Sequence, residues 1–189
     1  MISSVLPKAG AGNTLPLLLP TDDARQKYAE LAPLLLANFN ALAYDYLARQ
    51  KVQGQHLNWF IVEQLPLIAA AAYAAPLGAG TVADFVRGEV LRLSFTAHDL
   101  APLARDMGYE GEPFEWDEED RRHRMARLDA LYFHLYGLGR EEAGYVLDTF
   151  PIVREQDESR WNGRYRTKEL VLGYMNALAA GDTQTIIAS

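Results

Sequence analysis

Asn38-Phe39-Asn40-Ala41-Leu42-Ala43-Tyr44-Asp45-Tyr46-Leu47-Ala48-Arg49-Gln50-Lys51, closed by Gly54-Gln55-His56-Leu57-Asn58-Trp59-Phe60, is the stretch on which the reading of the fold turns. Leu35, Phe39, Leu42 and Tyr46 recur at helical spacing, which predicts one continuous helix with those residues on its apolar face. Asn38, Asp45 and Arg49 fall on its polar face. The basic, amide-rich end of this helix empties into a glycine loop. The apolar residues 59–65 then read as a strand, ended by Pro66.

Outward from this stretch, the chain is punctuated by turn signals. Residues 2–6 and 15–19 are short apolar runs that read as strands, with 10–14 as the turn between them. Thr21, Asp22 and Asp23 start a helix with a hydroxyl cap and acids at the positive end of the dipole. Pro33 either kinks it or opens a second helix in its first turn. Residues 69–75 are weak helix or coil, and 76–80 a linker. Thr81, with Asp84 three positions on, caps a helix expected to reach Asp106 with a strained point at Pro102.

Beyond a linker at 107–116 the chain reads as all-helical. Asp117 caps a helix with Glu118, Glu119 and Asp120 in its first turn and an apolar stripe of Met125, Leu128, Tyr132 and Leu135. Gly137-Leu138-Gly139 ends it. A helix over 141–149 stops at Pro151, 156–163 is a polar loop, and 165–180 is a last helix closed by Gly181. The expected class is therefore α+β and mostly helical. An α/β region at 1–106 carries a small sheet with helices, and a helical C-terminal region follows at 117–189.

Composition narrows the function. Apolar residues make up 49% of the 189, enough for a sizeable core. There is no cysteine, so disulfides and thiolate chemistry are excluded and a reducing cytoplasm fits. No apolar run reaches the length of a membrane span, and residues 1–20 lack the basic start of a signal peptide. With 18 Lys and Arg against 25 Asp and Glu, the formal charge is −7, poor for non-specific binding of polyanions.

Arg49, Lys51, Gln53, Gln55, His56 and Asn58 cluster around Gly54. Amides pair bidentately with adenine, and lysine meets phosphate or guanine, so this loop suits a DNA surface. The plainer use of the same residues is a helix C-cap, with the cations complementing the dipole. A second basic cluster, Arg154, Arg160, Arg164, Arg166 and Lys168 with Trp161 and Tyr165, is diluted by acids and reads first as a solvated loop. In a third, Arg121, Arg122, Arg124 and Arg127, the pairs Glu118/Arg122 and Asp120/Arg124 sit four apart with the acid first, and the cluster reads as helix ion pairs. The histidines are scattered, no metal site is expected, and no nucleophile, base and oxyanion set is present.

The opening residues resemble a known family. Asn38-Phe39-Asn40, Tyr44-Asp45-Tyr46, Arg49-Gln50-Lys51, Gly54, His56-Leu57-Asn58 and Gln64-Leu65-Pro66 are similar to the C-terminal region of type II (Eco57I-like, type IIG) adenine-specific DNA methyltransferases of restriction-modification systems. The loop, strand and Leu-Pro pattern also resembles the end of a target recognition domain in type I specificity subunits. Leu128-Asp129-Ala130-Leu131, Tyr136-Gly137-Leu138, Val146-Leu147-Asp148-Thr149-Phe150-Pro151 and Tyr165-Arg166-Thr167 are similar to the segment that follows in the same proteins. Val5-Leu6-Pro7 and Gly12-Asn13-Thr14 resemble a strand pair inside the recognition region.

This resemblance implies a DNA sequence-recognition portion whose partners are double-stranded DNA and a methyltransferase domain or subunit. The family's Asn-Pro-Pro-Tyr motif and its S-adenosylmethionine loop do not occur here. The chain is thus expected to be a C-terminal fragment or detached remnant, not catalytic alone, holding no cofactor; S-adenosylmethionine belongs to the parent enzyme. The alternative is a helical interaction or scaffolding module that binds a methyltransferase or nuclease partner.

Overall fold

A computed structural model of the chain describes residues 2–7, 17–52 and 58–188. The protein is mostly helical, with one small antiparallel sheet among the described residues. The first part runs α1 (Asp22–Arg25), α2 (Tyr28–Asn40), α3 (Leu42–Lys51), α4 (Trp59–Val62), a 3-10 turn (Ala70–Ala74), β1 (Pro76–Leu77), β2 (Gly80–Thr81) and α5 (Val82–Ser94). A second 3-10 turn (His98–Leu100) leads into α6 (Ala101–Asp106). The remainder is α7 (Glu118–Leu135), α8 (Arg140–Asp148), α9 (Pro151–Arg160) and α10 (Arg166–Ala179).

Local chemistry explains several boundaries. Thr81 and Asp84 form a reciprocal capping box at the start of α5. The Asp117 carboxylate accepts the N–H groups of Glu119 (2.8 Å) and Asp120 (2.9 Å), and the acids beside it face the positive end of α7. That capping accounts for the acidic run without a metal. In the β1–β2 hairpin Pro76 faces Thr81 and Leu77 faces Gly80. Gly78 takes the left-handed φ of 58° that a two-residue hairpin turn asks of its first residue.

One buried cluster runs from Leu34 on α2 to Leu178 on α10 and draws on both expected regions. Its densest packing is α7 against α10, with α2 against α5 next. Tyr44, Tyr132, Phe133, Leu147 and Val171 are fully buried at its centre. Leu128 and Tyr132 of the expected α7 stripe are buried, whereas Met125 is about half exposed. Among the described residues, no helix is long and apolar enough to cross a membrane.

Six expectations are corrected. Residues 2–6 form no strand; Ser3 instead gives its N–H to Asn40 Oδ1 (2.9 Å) and accepts from Asn40 Nδ2 at its carbonyl (3.0 Å). Leu17, Leu18 and Leu19 are exposed and irregular, while Leu15 and the expected turn at 10–14 lie outside the described residues. The stretch 59–65 is the short helix α4 and a turn. A short apolar run carries no period that separates strand from helix, and here the carbonyl of Asn58 takes the Ile61 N–H (2.9 Å) locally.

The helix after Thr81 ends at Ser94, and Pro102 lies in the first turn of α6, where its missing N–H carries no penalty. Likewise 156–163 is not a loop: α9 starts at Pro151 and holds the Arg154–Glu158 pair (2.6 Å) on its surface. The same proline that stops α8 starts α9.

The stretch that opened the sequence reading is two helices. α2 passes through Pro33, and the chain breaks at Ala41, which is extended (ψ 136°), before α3 begins. The Leu42 N–H that opens α3 is capped by Asp129 Oδ1 of α7 at 2.7 Å. A cap supplied from α7 fixes the break, so the apolar face from Leu35 to Tyr46 is divided between α2 and α3.

Candidate nucleic-acid interface

Arg49 and Lys51 stand in the last turn of α3, where their charge complements the negative end of the helix dipole. Both are exposed. Arg49 is committed to the protein: its guanidinium pairs with Asp45 (2.9 Å) and lies 4.4 Å from the centre of the Phe150 ring. Lys51 has no carboxylate partner among the described residues. Asn58 is exposed at the N-terminus of α4, its side chain making no cap, and the half-exposed Trp59 and Phe60 follow it. Gln53, Gln55 and His56 lie outside the described residues. Because α4 packs against α3, the two elements that flank these positions are neighbours.

α4 buries none of its own residues. Its position is set on the far side by the segment that follows. There Leu65 is buried, and a polar network holds 66–68. Asn38, only 1% exposed, accepts the Ile68 N–H at Oδ1 (3.0 Å) and donates from Nδ2 to the Tyr136 hydroxyl (2.7 Å). Tyr136 in turn donates to the Pro66 carbonyl (2.9 Å). Burial pushes the Tyr136 hydroxyl up from its ordinary range, with the Asn38 amide working the other way, so it keeps its proton and its role as donor. Asn38 was expected on the polar face. It is polar and buried, and the amide is satisfied because its partners come from α7's end and from the Leu-Pro segment.

Beside this network Tyr132 donates to the Leu34 carbonyl (3.0 Å) and meets the Tyr73 hydroxyl (3.0 Å). Burial pushes Tyr73 and Tyr44 each up to about 12, with Tyr136 adding to both. Sequence reasoning gives Asn38 only a place on the polar face and assigns no structural part to Asp129 or Tyr136. Asn38, Asp129 and Tyr136 do lie within the stretches that carry the family resemblance, and that was the available signal.

The other basic clusters are neutralised within the protein. Arg154 pairs with Glu158, Arg160 with Glu118 (3.0 Å), Arg164 with Glu169 (2.5 Å), Arg166 with Glu119, and Lys168 with Asp148 (2.7 Å). On α7, Arg124 meets Glu89 (2.8 Å) and Asp120 (2.7 Å), and Arg127 meets Glu89 (3.2 Å). Arg122 turns to Asp157 (3.5 Å) and not to Glu118, and Arg121 donates to the Leu93 carbonyl (2.7 Å) with its guanidinium over Trp116. These arginines are part of the packing. Among the described residues, no group of three or more acids and histidines is arranged to hold a metal ion.

Comparison with family models, with curated proteins and with solved structures gives no significant match to the chain.

Proposed function

We propose that the chain is the DNA sequence-recognition portion of a restriction-modification adenine methyltransferase, working in the cytoplasm with a catalytic domain or subunit that binds S-adenosylmethionine. One observation carries this reading. Residues on which the resemblance rests, the buried Asn38, the partly buried Tyr136 and the exposed Pro66, join in one hydrogen-bonded chain, while Lys51 and Asn58 stand exposed on adjoining elements. A lysine with no carboxylate partner among the described residues and an exposed amide that makes no cap are the donor set that phosphate contact and base readout call for. Gln53, Gln55 and His56 would extend it. Arg49, already paired with Asp45, would contribute to phosphate contact only by exchanging that partner.

A net charge of −7 keeps the expected affinity low and confined to this surface. The test is a gel-shift titration of duplex DNA with the full chain across a salt series. Binding that weakens linearly on a log–log salt plot supports the reading. Absence of any complex at low salt overturns it for the isolated chain.

A second reading, an interaction module for a methyltransferase or nuclease partner, is favoured by a different observation. Leu18, Leu19, Leu31, Leu35, Leu67 and Tyr73 line an apolar groove of about 480 Å³. Leu17 and Leu18 are half exposed and Leu19 more so, an apolar surface of the kind that marks partner contacts. Co-purification of a methyltransferase subunit without DNA binding would support this reading over the first.

A further inference from the structure

We propose that Asn38 and Tyr136 are positioning residues for DNA recognition: together they latch the segment after α4 and thereby set where Asn58 stands relative to Lys51. This rests on the recognition reading above. α4 has only four residues, none of them fully buried, and Val62 packs partly buried against the core, so its own packing holds it only in part. It is held between two anchors. One is α3, against which it packs and which ends at Lys51. The other is the latch, in which one buried amide and one hydroxyl engage the Ile68 N–H and the Pro66 carbonyl.

The latch residues are separated by 98 positions in the chain. Asn38 belongs to the helix before α3, and Tyr136 caps the end of α7. The latch therefore ties the segment after α4 to α2 and to the end of α7. A base-reading side chain must be held to a fraction of an ångström to tell one base edge from another, whereas a phosphate contact tolerates more play. Loosening the latch should thus cost sequence discrimination before it costs overall affinity.

The test uses Tyr136→Phe, which keeps the ring and removes the hydroxyl. Tyr165→Phe serves as the matched control, since it removes a buried hydroxyl bond to the Leu147 carbonyl (2.8 Å) far from α4 in the chain. The first readout is amide hydrogen exchange. Peptides covering 58–68 are expected to exchange about tenfold faster in Tyr136→Phe, with no such change there in the control. The second is sequencing of the bound fraction from a duplex pool with a randomised core. Motif enrichment is expected to fall by about tenfold in Tyr136→Phe while the total bound fraction at low salt holds.

Unchanged exchange in 58–68 overturns the latch itself. Faster exchange with enrichment intact overturns the positioning role and leaves the recognition reading standing. If the unmodified chain enriches no sequence at all, the recognition reading fails, and the positioning role falls with it.

Discussion

Asp129, on α7, accepts the main-chain N–H of Leu42 at 2.7 Å and so caps α3 from across the core. Its carboxyl is buried, and the acceptance of one N–H does not compensate for the lost water. Burial pushes the group up to about 7, the Leu42 N–H opposing and the Asp45 charge adding.

A pH dependence follows from Asp129. Its folded value lies above that of the unfolded chain, so the folded state holds the proton more tightly. That stabilisation is complete below the ordinary carboxyl range and is lost as pH rises through about 7. Asp129→Asn keeps an oxygen for the Leu42 N–H and cannot ionise. Its melting temperature should gain on that of the unmodified chain by on the order of 5 °C between pH 5 and pH 8. Parallel melting curves across that range would rule the coupling out.

Glu89 offers a test of buried charge. It is 6% exposed and faces Arg124 and Arg127. Glu89→Ala leaves Arg127 without its carboxylate and Arg124 with Asp120 alone, and urea unfolding should show a loss of about 3 kcal/mol. Asp120→Ala removes a carboxylate that is half open to water from the same Arg124, and should cost under about 1 kcal/mol. Equal losses would mean that burial does not set the strength of these pairs.

The hydroxyls of Tyr132 and Tyr73 act as a pair. Tyr132→Phe strips the Leu34 carbonyl of its donor and leaves Tyr73 facing a ring, an expected loss of about 1–3 kcal/mol. In a double-mutant cycle with Tyr73→Phe the two losses should sum to more than the double variant loses, because the second change removes a group already left without its partner. Strict additivity in chemical denaturation would contradict the shared hydrogen bond.

The surface cations should separate by their partners. Lys51→Ala is expected to weaken duplex binding alike for all sequences and to lower the salt slope by about 1. Asn58→Ala should instead relax sequence preference. Arg160→Ala and Arg164→Ala, whose charges are matched by Glu118 and Glu169, should leave the salt slope unchanged. A slope that drops equally for Lys51 and Arg160 would place the contact surface elsewhere.

What could be read in the sequence was chemistry closed within a few residues. Thr81 with Asp84, Asp117 with the acids after it, and the glycines at 137 and 181, both with φ of 73°, announce helix ends because each satisfies or frees backbone groups of its own turn. Lys51 and Asn58 were legible as exposed polar residues for the same local reason. The charge pattern of α7 was legible only in part. Asp120 and Arg124 pair as their spacing suggests, but Glu118 meets Arg160 and Arg122 meets Asp157, because α9 brings opposite charges that spacing within one helix does not reveal.

The tertiary structure alone decided the rest. The break at Ala41 depends on a carboxylate on α7, and the run at 59–65 became a short helix and a turn, with no strand beside it to pair with among the described residues. Asn38 changed from a surface amide to a buried clamp once Tyr136 and Ile68 came within reach. A residue's sequence fixes what its side chain can donate, accept or bury, and the nearest turn of backbone. Which partner answers it across the core is set by packing, and here that packing determined both the division of the opening stretch and the placement of α4.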